Sequence, residues 1–183
     1  MKKFKVLLAL ATFATTASFS TVSFAEESGE QVQGNVNLPD WYLSADKIDP
    51  DNPNLENLPD SEVDIVVSDG KTRQVKPIIA GKAQTYINKD GLEWYGTSAT
   101  TVDEVAASFQ VVGTLYKQAK GSTKLTQLDI ETDEKFFKKG VVIEETRGKT
   151  GTVGSTMISE GVLYVNLGMV NKTVVTTEKA TVK

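Results

Sequence analysis

From Ser61 to Lys183 the sequence is a succession of β-forming stretches separated by turn residues, and no long segment of helical period joins any two of them. Parallel strands need a crossover of about a dozen residues or more, usually a helix, so strands without one must turn back on each other. The expected fold is therefore mainly β. It is an antiparallel β-sandwich or barrel-like domain carrying one or two short helices.

The individual strands follow from alternation. Val63, Ile65 and Val67 fall on one face, with Asp64, Val66 and Ser68 on the other. Gly70 breaks that run, and residues 75–80 read as an edge segment interrupted by Pro77. Asn88-Lys89-Asp90-Gly91 stands between the β-forming runs 84–87 and 92–95, and an Asp-Gly pair in that setting signals a hairpin. Residues 108–117 form the strongest strand: Phe109, Val111, Gly113 and Leu115 share one face, and the opposite face is only partly polar. Such a strand belongs in the middle of a sheet. Further strands are expected at 125–130, 141–145, 153–159, 162–167 and 172–182. Turns are expected at Lys120-Gly121-Ser122, at 148–151, at Glu160-Gly161 and at 169–171. The two helix signals are brief. Thr101-Val102-Asp103-Glu104 has capping-box form, and 133–139 has Asp133 as cap, a Glu134–Lys138 pair and Gly140 as its stop.

Upstream of this region the chain has a different character. Lys2, Lys3 and Lys5 precede an apolar stretch over 6–17, and Ser23-Phe24-Ala25 supplies a small-residue cleavage site. Residues 1–25 therefore read as a secretory signal. The apolar stretch is too short for a membrane span, and no later segment is apolar enough to make one. Residues 26–60 form an acidic arm rich in Pro, Asp and Asn, and residues 61–183 form the β domain. Pro39, Pro50, Pro53 and Pro59 all lie in the arm and favour extended or turn conformations there. Between Glu26 and Asp69 the net charge is −11, whereas residues 70–183 carry +4. Such an arm repels phosphate backbones, which argues against nucleic acid as a partner. Trp41, Tyr42 and Leu43 make an apolar cluster within the arm, which pins it to the domain surface or to a partner.

The composition removes much chemistry. With no cysteine there is no disulfide, thiolate metal site or thiol nucleophile, and with no histidine there is no imidazole base. Ser44-Ala45-Asp46-Lys47, Ser68-Asp69-Gly70 and Lys149-Thr150-Gly151 together resemble the motif order of serine β-lactamases and penicillin-binding proteins. The nucleophilic serine of those proteins must open a buried helix, whereas Ser44 lies among prolines. Gly148-Lys149-Thr150 lacks the upstream glycine of a phosphate loop, since position 143 is Ile143. Asp49, Asp51 and Asn54 alternate oxygen ligands in a manner suited to calcium, the one cofactor the sequence suggests. Asn54 nevertheless stands where the hand-type loop requires glycine, and Asp60 where it requires glutamate. A carboxylate-pair glycosidase needs neither missing side chain, and Glu93 beside Trp94 and Tyr95 is its best acid. Neighbours on a strand point to opposite faces, so Glu93 and Trp94 would not share a surface.

What remains is a secreted, non-catalytic, β-rich protein that acts by binding or assembly at the cell exterior. The expected partners are a cell-wall or extracellular glycan or a protein surface, and self-association through the 172–182 strand is a further expectation. Trp41, Tyr42, Trp94 and Tyr95 are the candidate binding residues. A small glycan hydrolase and a secreted toxin or inhibitor are the alternatives.

Overall fold

The computed structural model describes residues 37–67, 78–168 and 170–183. The expected secretory signal, the first part of the arm, Ser68-Asp69-Gly70 and residues 75–77 of the expected edge segment lie outside the described residues. In chain order the elements are one helical turn, α1 (Asp40–Leu43), and seven strands. These are β1 (Glu62–Val67), β2 (Ile78–Asp90), β3 (Glu93–Gln118), β4 (Thr126–Glu145), β5 (Lys149–Thr150), β6 (Thr156–Asn166) and β7 (Asn171–Thr181). Every strand pair is antiparallel.

The spine is β3, a strand of 26 residues. Its first half lies between β2 and β4, and its second half between β4 and β6. Beyond these neighbours, β1 continues the sheet from β2, and β7 continues it from β6. Because β2 and β6 follow one another along the same edge of β3, the sheet folds into two facing lobes. The ends of the path then meet, where the Thr177 amide donates to the Asp60 carbonyl at 3.3 Å. The result is a sheet nearly closed into a barrel. The bend falls where the β3–β4 register shifts between Val102 and Ala106. Opposite that shift stand Phe137 at φ 48° and Gly140 at φ 123°, both left-handed.

The interior has two apolar ends and a polar waist. At one end Ile65, Ala83, Val102, Phe109, Val111, Val142, Leu163 and Val165 pack together. At the other are Trp94, Leu115, Met157 and Val182. Between them the lobes meet through hydroxyls: Thr85 Oγ1 lies 2.6 Å from Thr176 Oγ1 and 3.2 Å from Ser98 Oγ.

Several local expectations are corrected. Residues 133–139 are strand, not helix, because pairing with β3 overrides a marginal helical signal that is too short to persist alone. Gly140 is left-handed as a helix stop would be, but it serves the strand bend. The 101–104 capping box lies inside β3. The segments 125–130 and 141–145 belong to the one continuous region around β4, and Glu160-Gly161 sits in the middle of β6 instead of forming a turn. Gly161 is there because the other lobe presses against it: a Cβ would lie 2.4 Å from Thr85 Oγ1. The Asp90-Gly91 hairpin does form, with Asp90 opposite Glu93 and Gly91 at φ 59°. Residues 108–117 are central, bonded on both sides.

The described part of the arm is a third layer. Tyr42 packs on Val112, Ile130 and Val162, while Ile48, Leu55 and Leu58 pack beside Tyr116, Leu125 and Ile158. Polar ties hold its length: the Leu125 amide donates to the Pro50 carbonyl at 2.8 Å, and the Thr177 hydroxyl to the Pro59 carbonyl at 2.6 Å. Lys179 Nζ donates to the Leu55 carbonyl at 2.7 Å, and Lys124 pairs with Asp51 at 2.8 Å. Proline denies the arm much regular structure, so side-chain anchors and these bonds order it instead.

Candidate functional site

The two lobes differ in what lies outside them. The arm covers the outer face of the lobe formed by β6, β7 and the second half of β3. Among the described residues nothing covers the outer face built by β1, β2, the first half of β3 and the end of β4. Alternation puts one set of side chains on that face, and register aligns them in rows. One row is Glu62, Gln84, Ala99 and Ile143; the next is Asp64, Lys82, Thr101 and Val141. A third is Tyr86, Thr97 and Glu145, and Asn88 stands opposite Tyr95. Tyr86 and Tyr95 are therefore diagonal neighbours, about 7–8 Å apart for such a pair.

Hydrogen bonds organise the polar part. Glu62 accepts from Lys82 Nζ and from Gln84 Nε2, both at 2.5 Å. These bonds, the Lys82 contact foremost, hold the Glu62 carboxyl below its ordinary range and the Lys82 ammonium above its own. Asn88 Nδ2 donates to Thr97 Oγ1 at 2.8 Å. The apolar part is open, with Ile143 56% exposed and Tyr86 42%. Next to it runs the outer edge of β4, which bonds no other strand among the described residues. Phe136 and Phe137 project from that strand into solvent.

The sequence-predicted residues are dispersed. Tyr95 lies on the uncovered face, half-buried between its neighbours. Trp94, one residue earlier, points inward against Leu115, Met157 and Val182 with Lys89 over its ring at 5.3 Å. Trp41 stacks on Tyr164 at 5.1 Å between ring centres and donates from Nε1 to Gln110 at 2.8 Å. Tyr42 is 4% exposed and lies on the underside of the arm, against the barrel. Trp41 and Tyr42 thus hold the arm together, while Trp94 is core. Asp49 accepts the Asp51 amide at 3.0 Å, and Asp51 is drawn to Lys124, whose ammonium lowers its carboxyl. Asn54 accepts from Asn57 Nδ2 at 3.5 Å. Among the described residues no three acidic side chains gather closely enough to share a metal ion. Glu93 is exposed on the face of β3 opposite Trp94.

The buried Glu160 escaped the sequence reading. It is fully enclosed on β6, accepting the Ile48 amide at 2.6 Å and the Tyr116 hydroxyl at 3.3 Å. Burial pushes its carboxyl up to about 7, against the pull of those bonds and of Lys47. Its signal was a lone charge in an otherwise apolar stretch, Met157-Ile158-Ser159-Glu160-Gly161-Val162-Leu163, where a turn was expected. Tyr86, Asn88 and Ile143 were missed because a face is assembled from rows across strands, which register alone supplies.

Comparisons of the chain with protein-family models, with curated proteins and with solved structures found no match. Among the described residues no helix is long and apolar enough to cross a membrane.

Proposed function

We propose that the protein is exported and acts outside the cell by binding, its working surface being the uncovered face of β1–β4. One observation carries this reading. Among the described residues the arm covers one lobe and leaves the broad outer sheet face of the other uncovered, and that face mixes two tyrosine rings with amide, hydroxyl and paired charged groups. Aromatic rings suit the apolar faces of sugars, and adjacent amides and hydroxyls suit their hydroxyl groups. An extracellular or wall polysaccharide is the occupant this chemistry fits best. A protein partner would instead favour a larger and more continuous apolar patch.

The direct test is co-sedimentation of the purified protein with cell walls and with insoluble polysaccharides, alongside its sedimentation coefficient. Retention is expected, and Tyr86→Ala combined with Tyr95→Ala should weaken it at least tenfold while leaving the circular-dichroism spectrum unchanged. A clean monomer retained by none of these materials would overturn the proposal.

A further inference from the structure

We propose that residues 37–59 are a strap whose seating on the barrel is governed by the proton on Glu160, closed in acid and loosened as the pH rises. The geometry is specific. Glu160 stands on β6 between Thr114 of β3 and Thr177 of β7, at the centre of the face that the strap covers. Its carboxyl is enclosed, and the bond it receives at 2.6 Å comes from a strap amide, that of Ile48. Lifting the strap would return this group to water, so its protonation and the strap's position are thermodynamically linked.

The charged and titratable groups around Glu160 are few. From the strap come Tyr42 and Lys47, and Lys47 donates to the Tyr42 carbonyl at 3.1 Å and lies over the Tyr42 ring at 4.5 Å. From β3 comes Tyr116, the other donor to the carboxyl. From β7, Lys179 shares the face but reaches out to the Leu55 carbonyl. The β6 neighbours on this face, Ile158 and Val162, are apolar. Among the described residues Lys47 is therefore the one cation set against the carboxylate, and burial outweighs it. Glu144 is also raised by burial, but it faces Gly113 in the barrel interior and not the strap.

The sign follows. The seated strap holds the Glu160 carboxyl near 7, above the ordinary 4.5 of an exposed one. Seated chains thus bind more protons between these values. The strap's stability is whole well below 4.5, declines about tenfold in equilibrium constant per pH unit between the two values, has fallen ~160-fold by pH 7 and levels off at ~300-fold beyond it. The lifted strap would uncover Val112, Ile158 and Val162, an apolar strip now dry beneath Tyr42 and its neighbours.

The inference is independent of the binding face. Its test is amide hydrogen exchange on the full chain from pH 4.5 to 8, corrected for intrinsic exchange rate. Ile48 and Leu125, whose amides donate to Glu160 and to the Pro50 carbonyl, report the strap. Amides in the second half of β3 report the barrel. Strap protection should fall roughly 150-fold between pH 4.5 and 8 while barrel protection holds. Glu160→Gln should make strap protection independent of pH. Tyr116→Phe, which removes one donor to the carboxylate, should move the window to higher pH. Trp41→Ala should weaken strap protection by a constant factor at every pH. Strap protection that is flat from 4.5 to 7 in the unaltered protein, or a pH dependence that survives in Glu160→Gln, would overturn the proposal.

Discussion

A Cβ added to Gly161 would lie 2.4 Å from Thr85 Oγ1, so β6 and β2 meet at these two residues across a gap that admits no side chain. The same Cβ would lie 2.6 Å from Ser98 Oγ. Neither obstruction is the far end of a flexible chain. Gly161→Ala must therefore push the lobes apart at the polar waist, and overpacking of this sort costs about 1–3 kcal/mol. The urea midpoint should fall accordingly. Gly91→Ala is the comparison, since it meets no atom within 4 Å but carries φ 59°. Its cost should stay near 1 kcal/mol, the penalty of left-handed backbone alone.

The hydroxyls of the waist divide into paired and unpaired, and their replacement by valine should have opposite signs. Thr85 contacts both Thr176 and Ser98, so Thr85→Val leaves buried partners unsatisfied and should destabilise by about 1–3 kcal/mol. Adding Thr176→Val should cost less than the two single changes together, because the second removes a group already orphaned. Thr100 is equally buried, yet its hydroxyl has no hydrogen-bond partner among the described residues. Thr100→Val keeps the shape and removes the orphan, so stability should rise by about 1 kcal/mol. Denaturation midpoints of the four variants test the contrast. A destabilised Thr100→Val would refute it.

These positions also mark how far the sequence is legible. Strand existence follows from alternation and turn residues, and the Asp90-Gly91 hairpin and the central 108–117 strand are both readable locally. What joins 162–167 to 153–159 is not local. Gly161 resembles a turn residue until the opposite lobe is placed against it, and Glu160 resembles an exposed turn acid until the arm seals it. The bare outer face is hidden for the same reason: Tyr86 and Ile143 lie far apart in sequence and share a surface only through the registers of β2, β3 and β4. Of the four aromatic candidates, Tyr95 alone lies on that face, because alternation cannot say which side of a strand the solvent will occupy.

Phe137 stands at the bend of β4 with φ 48° and 79% of its surface exposed. Left-handed backbone costs a bulky residue about 1–2 kcal/mol, whereas asparagine adopts it readily. Little packing is lost on removing so exposed a ring. Phe137→Asn should therefore raise the thermal midpoint, with a gain of about 1 kcal/mol. If the same variant also lowers self-association in sedimentation experiments, the ring is retained for contact between molecules, at the expense of stability.

Burial raises the phenol groups of Tyr42 and Tyr116 above their ordinary value of 10.0. In each case desolvation is the largest cause, and the nearby Glu160 adds to it. The sign is that of an acid raised in the folded state. Stability drawn from the neutral phenols is intact below about pH 10 and is lost as the pH rises beyond it, when the unfolded chain ionises them freely. Tyr42 and Tyr116 should then stay protonated in an alkaline titration until the arm lifts or the protein unfolds. Their tyrosinate absorbance should accordingly rise in a cooperative phase that coincides with loss of strap protection in hydrogen exchange. Tyr42→Phe should remove one of the two late ionisations, and so should Tyr116→Phe. Ionisation of both phenols while strap protection persists would show that the interface between arm and barrel is open to water, and the third layer described above would not stand.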